Sequence, residues 1–144
     1  MPTWKYAVSV SAAGNCAMAN RMEGRLAYGI DVPPSLLETP FPPLMLLTLV
    51  ENAVKHGIEP RIGAGRICIE AERIVRTTDI AVEVRIIDNG VGLSGASGHG
   101  LGLRNVREQL ALCYGNRAAL SLVSPPEGGT IACLQIPLDG FELI

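Results

Sequence analysis

The sequence predicts an α+β fold, with helices on one face of a mostly antiparallel sheet. Three observations predict it. Residues 66–74 and 80–88 alternate apolar and polar side chains across a short link, as a hairpin does. Two other segments space their apolar residues at i, i+3 and i+4, as amphipathic helices do. The full order reads β-α-β-β-loop-α-β-β. At 144 residues the chain fits one domain with one core. Its 48% apolar and 18% charged residues suit a globular chain, not a disordered one.

The elements follow in order. Residues 1–24 are rich in small residues with weak periodicity; they are a helix over residues 12–22, the remnant of a preceding helix, or a frayed end. Residues 25–144 form the domain proper. Residues 25–32 (RLAYGIDV) read as a strand stopped by Pro33-Pro34. Pro42-Pro43 opens a helix, since proline is tolerated in the first turn. That helix runs to about His56, with Gly57 as its stop. Leu46, Leu49, Val50, Ala53 and Val54 form its apolar stripe, and Thr48, Asn52, Lys55 and His56 its polar face. The hairpin follows. A second helix is expected from about Leu101 to Tyr114, with Leu103, Val106, Leu110 and Cys113 buried and Gly115 after its end. Strands over residues 118–124 and 129–137 close the fold around the turn PPEGG.

Composition excludes several functions. The net charge is −2 and aromatics are 4%, so nothing provides the basic, aromatic surface that nucleic acids need. The longest apolar stretch, residues 40–50, is broken by prolines and falls short of the about 20 residues needed to span a bilayer. The first 20 residues do not read as a signal peptide. Four scattered cysteines without C-x-x-C predict reduced thiols in a cytoplasmic core.

Residues 90–102 hold six glycines in thirteen positions. Gly90, Gly92 and Gly95 match G-x-G-x-x-G. No helix opens directly after them, and the position about 20 further on lies inside a helix, so the dinucleotide reading fails. There is no G-x-x-x-x-G-K-[ST] either. Asp88, which ends a strand just before the loop, can accept a hydrogen bond from an exocyclic amine such as that of adenine. Gly90 and Gly92 allow the backbone close to a flat ring. Gly98, His99, Gly100, Leu101 and Gly102 lead into a helix start, which favours anions. On the first helix, the Asn52 oxygen suits Mg²⁺ and Lys55 suits a phosphate. Glu51 is either a water-orienting base or a surface acid.

Taken together, these segments resemble the ATP-binding catalytic domain of sensor histidine kinases, in the superfamily that includes gyrase, MutL and the heat-shock chaperone ATPase. LVENAVKHG, residues 49–57, resembles the N box. DNGVGL, residues 88–93, resembles the first glycine box, and GHGLGLRNV, residues 98–106, the second. Gly129-Thr130 resembles the Gly-Thr that opens the last strand. The subtype is most similar to LytS-type kinases, and the likeness covers residues 25–138. Where that subtype has Gln-Pro, this chain has Leu47 and Thr48. Thr48 also stands where gyrase-like members carry a basic Glu, which argues against water-driven hydrolysis.

The resemblance implies a two-layer α/β sandwich of the Bergerat type, with helices over a mixed, mainly antiparallel sheet. It implies ATP and Mg²⁺ as cofactors. Asp88 and Thr130 would hold adenine, and Asn52 the metal. Lys55, His56 and the backbone of residues 100–102 would hold phosphates, with Gly90, Gly92, Gly98, Gly100, Leu101, Gly102 and Asn105 lining the site. Glu51, Asn52 and Lys55 are the catalytic candidates. The implied reaction transfers the γ-phosphoryl to a histidine on a separate dimerisation helix, because this chain shows no such helix pair. The phosphoacceptor helices of the parent kinase are the implied partner and a response regulator an indirect one, with no nucleic acid and no direct membrane contact. The domain is expected to be cytoplasmic, whether or not the parent kinase is membrane-anchored. An anti-sigma-factor type serine kinase and a non-catalytic ATP-sensing module are the alternatives.

Overall fold

The structure is a computed structural model that describes residues 26–37, 41, 43–58, 63–92 and 101–138. The proposed helix at residues 12–22, and the first segment of the domain division, lie outside these residues. The elements are β1 (Leu26–Asp31), α1 (Pro43–Ala53), β2 (Gly65–Val75), β3 (Ile80–Asp88), α2 (Leu101–Tyr114), β4 (Ala119–Val123) and β5 (Thr130–Pro137). The predicted order holds, with strand ends shifted by a residue or so.

The five strands form one sheet in the order β1-β2-β3-β5-β4. β1 runs parallel to β2, and every other pairing is antiparallel. A hairpin needs only a short turn, whereas a parallel pair needs a crossover, which α1 supplies here.

Register assigns the two faces. Ile69 pairs with Ile86, and Ile86 with Ala132; Ala71 pairs with Val84, and Val84 with Leu134. All six are buried, on the face that packs with both helices. Met45, Leu46, Leu49, Val50, Ala53 and Val54 give the buried stripe of α1. Leu103, Val106, Leu110 and Tyr114 give that of α2, while Cys113 is only half-buried. The two helices also pack on each other. The opposite face is polar. Arg85 lies at its centre, 2.9 Å from Glu72 and 2.8 Å from Glu83.

Gly57 does not stop the first helix. A wider π-type turn, Val54–Ile58, continues through it. Ile58 is the reason: its side chain is fully buried and fills the space that a Cβ on Gly65 would occupy. The wide turn carries Ile58 into the core, and the missing side chain at the start of β2 makes room for it.

The hairpin tip is closed by charge. The Asp79 carboxylate accepts from Arg76 at 2.6 Å, and from Arg117, beyond the end of α2, at 3.1 Å.

Candidate functional site

Asp88 is the last residue of β3 and points to the helix-covered face, since it shares the parity of Ile86 and Val84. It is 6% exposed, and it is the single buried charged residue among the described residues. Its register partners are Ile67 on β2 and Thr130 on β5. The Gly90 N–H donates to Oδ1 at 2.8 Å, and the Thr130 backbone N–H also donates to the carboxylate. Burial pushes the pKa of Asp88 up, and the two N–H groups offset only part of that rise. Among the described residues no Lys or Arg forms an ion pair with it. Asp88 is therefore a desolvated acceptor held by backbone donors, suited to a neutral donor more than to an anion.

Glycines let the chain close around it. Gly129 has φ +81°, and a Cβ there would fall on the Asp88 carbonyl oxygen. Gly92 has the same φ, and a Cβ there would sit 3.0 Å from Ser124 Oγ. Ser124 in turn donates to the Gly129 carbonyl at 3.1 Å. The β4–β5 turn thus packs directly against the loop after Asp88. Asp88, Gly90, Gly92 and Thr130 are brought together in this way.

α1 presents a second group. Asn52 is half-buried at its C-terminal end, and Glu51 is exposed beside it. Lys55 is exposed and His56 half-buried in the π-type turn. The wider turn changes the angular offset of Lys55 and His56 from Asn52 relative to a regular helix. α1 packs on β3, the strand that ends in Asp88. Leu101 and Gly102 open α2, and Asn105 is exposed in its second turn. Gly98 and Gly100 lie outside the described residues.

The donor set fits the implied ligands. No group of three His, Cys, Asp or Glu side chains is placed to hold a metal among the described residues. A cation held by the Asn52 oxygen would complete its shell with water and oxygens of a bound ligand. Mg²⁺, which keeps waters and takes phosphate oxygens, matches that donor set. Nor is any described helix long and apolar enough to cross a membrane.

Sequence reasoning gave no role to Asn89. Its N–H donates to the Arg66 carbonyl at 3.2 Å, and its Oδ1 accepts from the Arg66 N–H at 2.7 Å. An Asn immediately before a glycine turn is the signal that could have found it.

The chain is 34% identical over 122 residues to the sensor histidine kinase YesM of Bacillus subtilis (strain 168), covering 81% of this chain and 20% of that protein. It is 29% identical over 135 residues to the sensor histidine kinase/phosphatase LytS of Staphylococcus aureus (strain Mu50), covering 85% of this chain and 22% of that one. The chain thus spans about one fifth of the length of these curated relatives. Among solved structures, the histidine kinase domain of the Erythrobacter litoralis EL346 blue-light activated kinase superposes with a TM-score of 0.71 at 21% identity. That match covers 94% of this chain and 61% of the other. The catalytic domain of histidine kinase ThkA superposes at 0.64 with 16% identity, covering 90% of both chains. These superpositions establish the fold. The profile of the histidine kinase-, DNA gyrase B- and HSP90-like ATPases matches residues 40–140, from just before α1 to just after β5. With the buried Asp88, the glycines packed around it and Asn52 on α1 all inside that span, the chain belongs to the family of histidine kinase-, DNA gyrase B- and HSP90-like ATPases.

Proposed function

We propose that this chain is the catalytic domain of a sensor histidine kinase, binding ATP with Mg²⁺ and presenting the γ-phosphoryl to a histidine on a separate helix. One observation carries the reading: a buried carboxylate, Asp88, held by the backbone N–H groups of Gly90 and Thr130 with no cationic side chain paired to it among the described residues. That arrangement suits the exocyclic amine of adenine. The sensor kinases matched at 34% and 29% identity point to the same class.

Asp88 and Thr130 orient the base, and Gly90 and Gly92 let the backbone approach it. Mg²⁺, when bound, neutralises phosphate charge, with Asn52 as its protein ligand. Lys55 and His56 steady the phosphates from the π-type turn that continues α1, with Leu101, Gly102 and Asn105 from the start of α2 and Gly98 and Gly100 assigned to the same set by the motif. Glu51, exposed on α1 next to Asn52 in sequence, is the candidate to orient a group near the phosphates. Most of the catalysis is positioning and charge neutralisation. The acceptor helix belongs to the parent kinase, a response regulator takes the phosphoryl from it, and the domain works in the cytoplasm.

The chain has two histidines, His56 and His99, both within the phosphate-side segments. A group that holds phosphate oxygens from the side is off the line of transfer. The chain alone is expected to bind ATP without acid-labile self-labelling, and to label a kinase dimerisation helix supplied in trans. Labelled ATP with and without that helix is the test. Stoichiometric acid-labile label on the chain alone, lost in a His56 or His99 variant, overturns the reading.

A further inference from the structure

We infer that Asn89 is a positioning residue for adenine recognition, because its side chain takes the place of its own backbone carbonyl in the β2–β3 ladder and so fixes the turn that carries Asp88. The inference rests on the adenine reading of Asp88.

In an antiparallel pair, residues in a hydrogen-bonded position exchange two bonds, each N–H to the other's carbonyl. The ladder ends with Ile67 opposite Asp88, so Arg66 and Asn89 are the next such position. One bond is ordinary: Asn89 N–H to the Arg66 carbonyl, 3.2 Å. The other is not, because the Arg66 N–H bonds to Asn89 Oδ1 at 2.7 Å, and not to the Asn89 carbonyl. The side chain completes the rung while the main chain turns away into Gly90.

That turn matters because Gly90 gives its N–H to Asp88 Oδ1 at 2.8 Å. One peptide therefore connects the two bonds. Asn89 anchors its start on β2, and Gly90 N–H, one residue on, anchors the carboxylate. Without the Asn89 acceptor the rung opens on one side, and the Gly90 donor loses its fixed position. Gly129 packs on the same stretch from the other side, close to Asn89 Cα as well as to the Asp88 carbonyl. Asn89 is half-buried and borders a cleft of about 350 Å³ on the open face of the sheet. Truncating it there leaves no closed cavity in the core, so the fold is expected to survive.

The test is the ratio of ATP to GTP affinity, by calorimetric titration of the full chain with Mg²⁺. Partial unfolding lowers both affinities together and leaves the ratio alone, whereas a misplaced Asp88 narrows it. Asn89→Ala is expected to narrow the wild-type preference about tenfold. Asn89→Asp keeps an acceptor oxygen at the same reach and is expected to restore the preference. Should Asn89→Ala fail to fold, Asn89→Ser replaces it, its side chain being one bond shorter. A wild-type preference that survives the truncation overturns this inference alone, and so does an Asn89→Asp variant as impaired as Asn89→Ala. Wild-type protein that binds ATP and GTP alike, or neither, overturns the adenine reading of Asp88 and this inference with it.

Discussion

Asp88 and Thr130 are register partners across β3 and β5, and Thr130 gives its backbone N–H to the Asp88 carboxylate. The pairing puts a main-chain donor and a side-chain hydroxyl next to a buried acid. Its ionisation has opposite effects on the empty and the occupied protein. The folded pKa is raised by burial, so ionising Asp88 weakens the empty fold as pH rises from the unfolded value through the folded one. On the proposed adenine role of Asp88, ligand binding draws on the ionised form and strengthens over the same window.

Asp88→Asn is therefore expected to keep or raise the melting temperature of the empty protein. It should weaken ATP binding by about 1.5–3 kcal/mol, or roughly 10–150-fold. Melts with and without ADP between about pH 4 and pH 6 check both signs. The variant measured alongside removes the titration of the ligand itself. Equal ADP stabilisation of both proteins across that range would exclude the assignment.

Gly129→Ala should cost about 2–6 kcal/mol, the sum of a positive-φ penalty and a collision with the Asp88 carbonyl. Gly128→Ala is the control. Gly128 also has a positive φ, +105°, but nothing stands within 4 Å of an added Cβ, so only the conformational part, about 1–3 kcal/mol, applies. Urea midpoints of the two variants give the comparison, and equal losses would remove the steric account.

Asn52→Ala should reduce the gain in ATP affinity that Mg²⁺ confers, and leave adenosine binding unchanged. Asn52 is half-buried on the polar side of α1, away from the stripe of Leu49, Val50 and Ala53. An unaltered Mg²⁺ response in the variant would place the metal ligand elsewhere.

Cys133 should alkylate slowly. Burial, then its bond to Glu83 Oε1 at 3.1 Å, pushes the thiol up to about 11. At pH 8 only about 0.1% is thiolate. Glu83→Gln removes the neighbouring negative charge and should speed labelling several-fold, read peptide by peptide by mass spectrometry. A rate unchanged by that substitution would leave burial as the whole cause.

The sheet was legible because its strands alternate cleanly. Ile67, Ile69 and Ala71 on β2 and Val82, Val84 and Ile86 on β3 face the core as their parity requires. The α1 stripe was legible from the i, i+3, i+4 spacing of Leu46, Leu49, Val50, Ala53 and Val54, all buried. The end of α1 was not, because Gly57 is a strong local stop signal, and what carries the helix past it is Ile58 packing on Gly65, a contact across the fold. At the site, the spacing of Asp88, Gly90 and Gly92 pointed to a ring-binding loop. That Asn89 completes a rung with Arg66 depends on a strand register that one sequence does not display. The glycines at 98 and 100 lie outside the described residues, so that half of the site still stands on the motif.

The parallel attachment of β1 has a consequence for the order of folding. Its rungs join residues far apart in sequence, Leu26 with Gly65, whereas β4 and β5 meet across Val123 and Ile131, and β2 and β3 across Val75 and Ile80. Closing the longer loop costs more chain entropy before any contact offsets it, and α1 must already be in place to carry the crossover. The two hairpins are expected to form early, and the long-range pairings, β1 with β2 and β3 with β5, late. Truncating Ile30, which packs on the core from the β1 edge, should then speed unfolding and leave the refolding rate nearly unchanged.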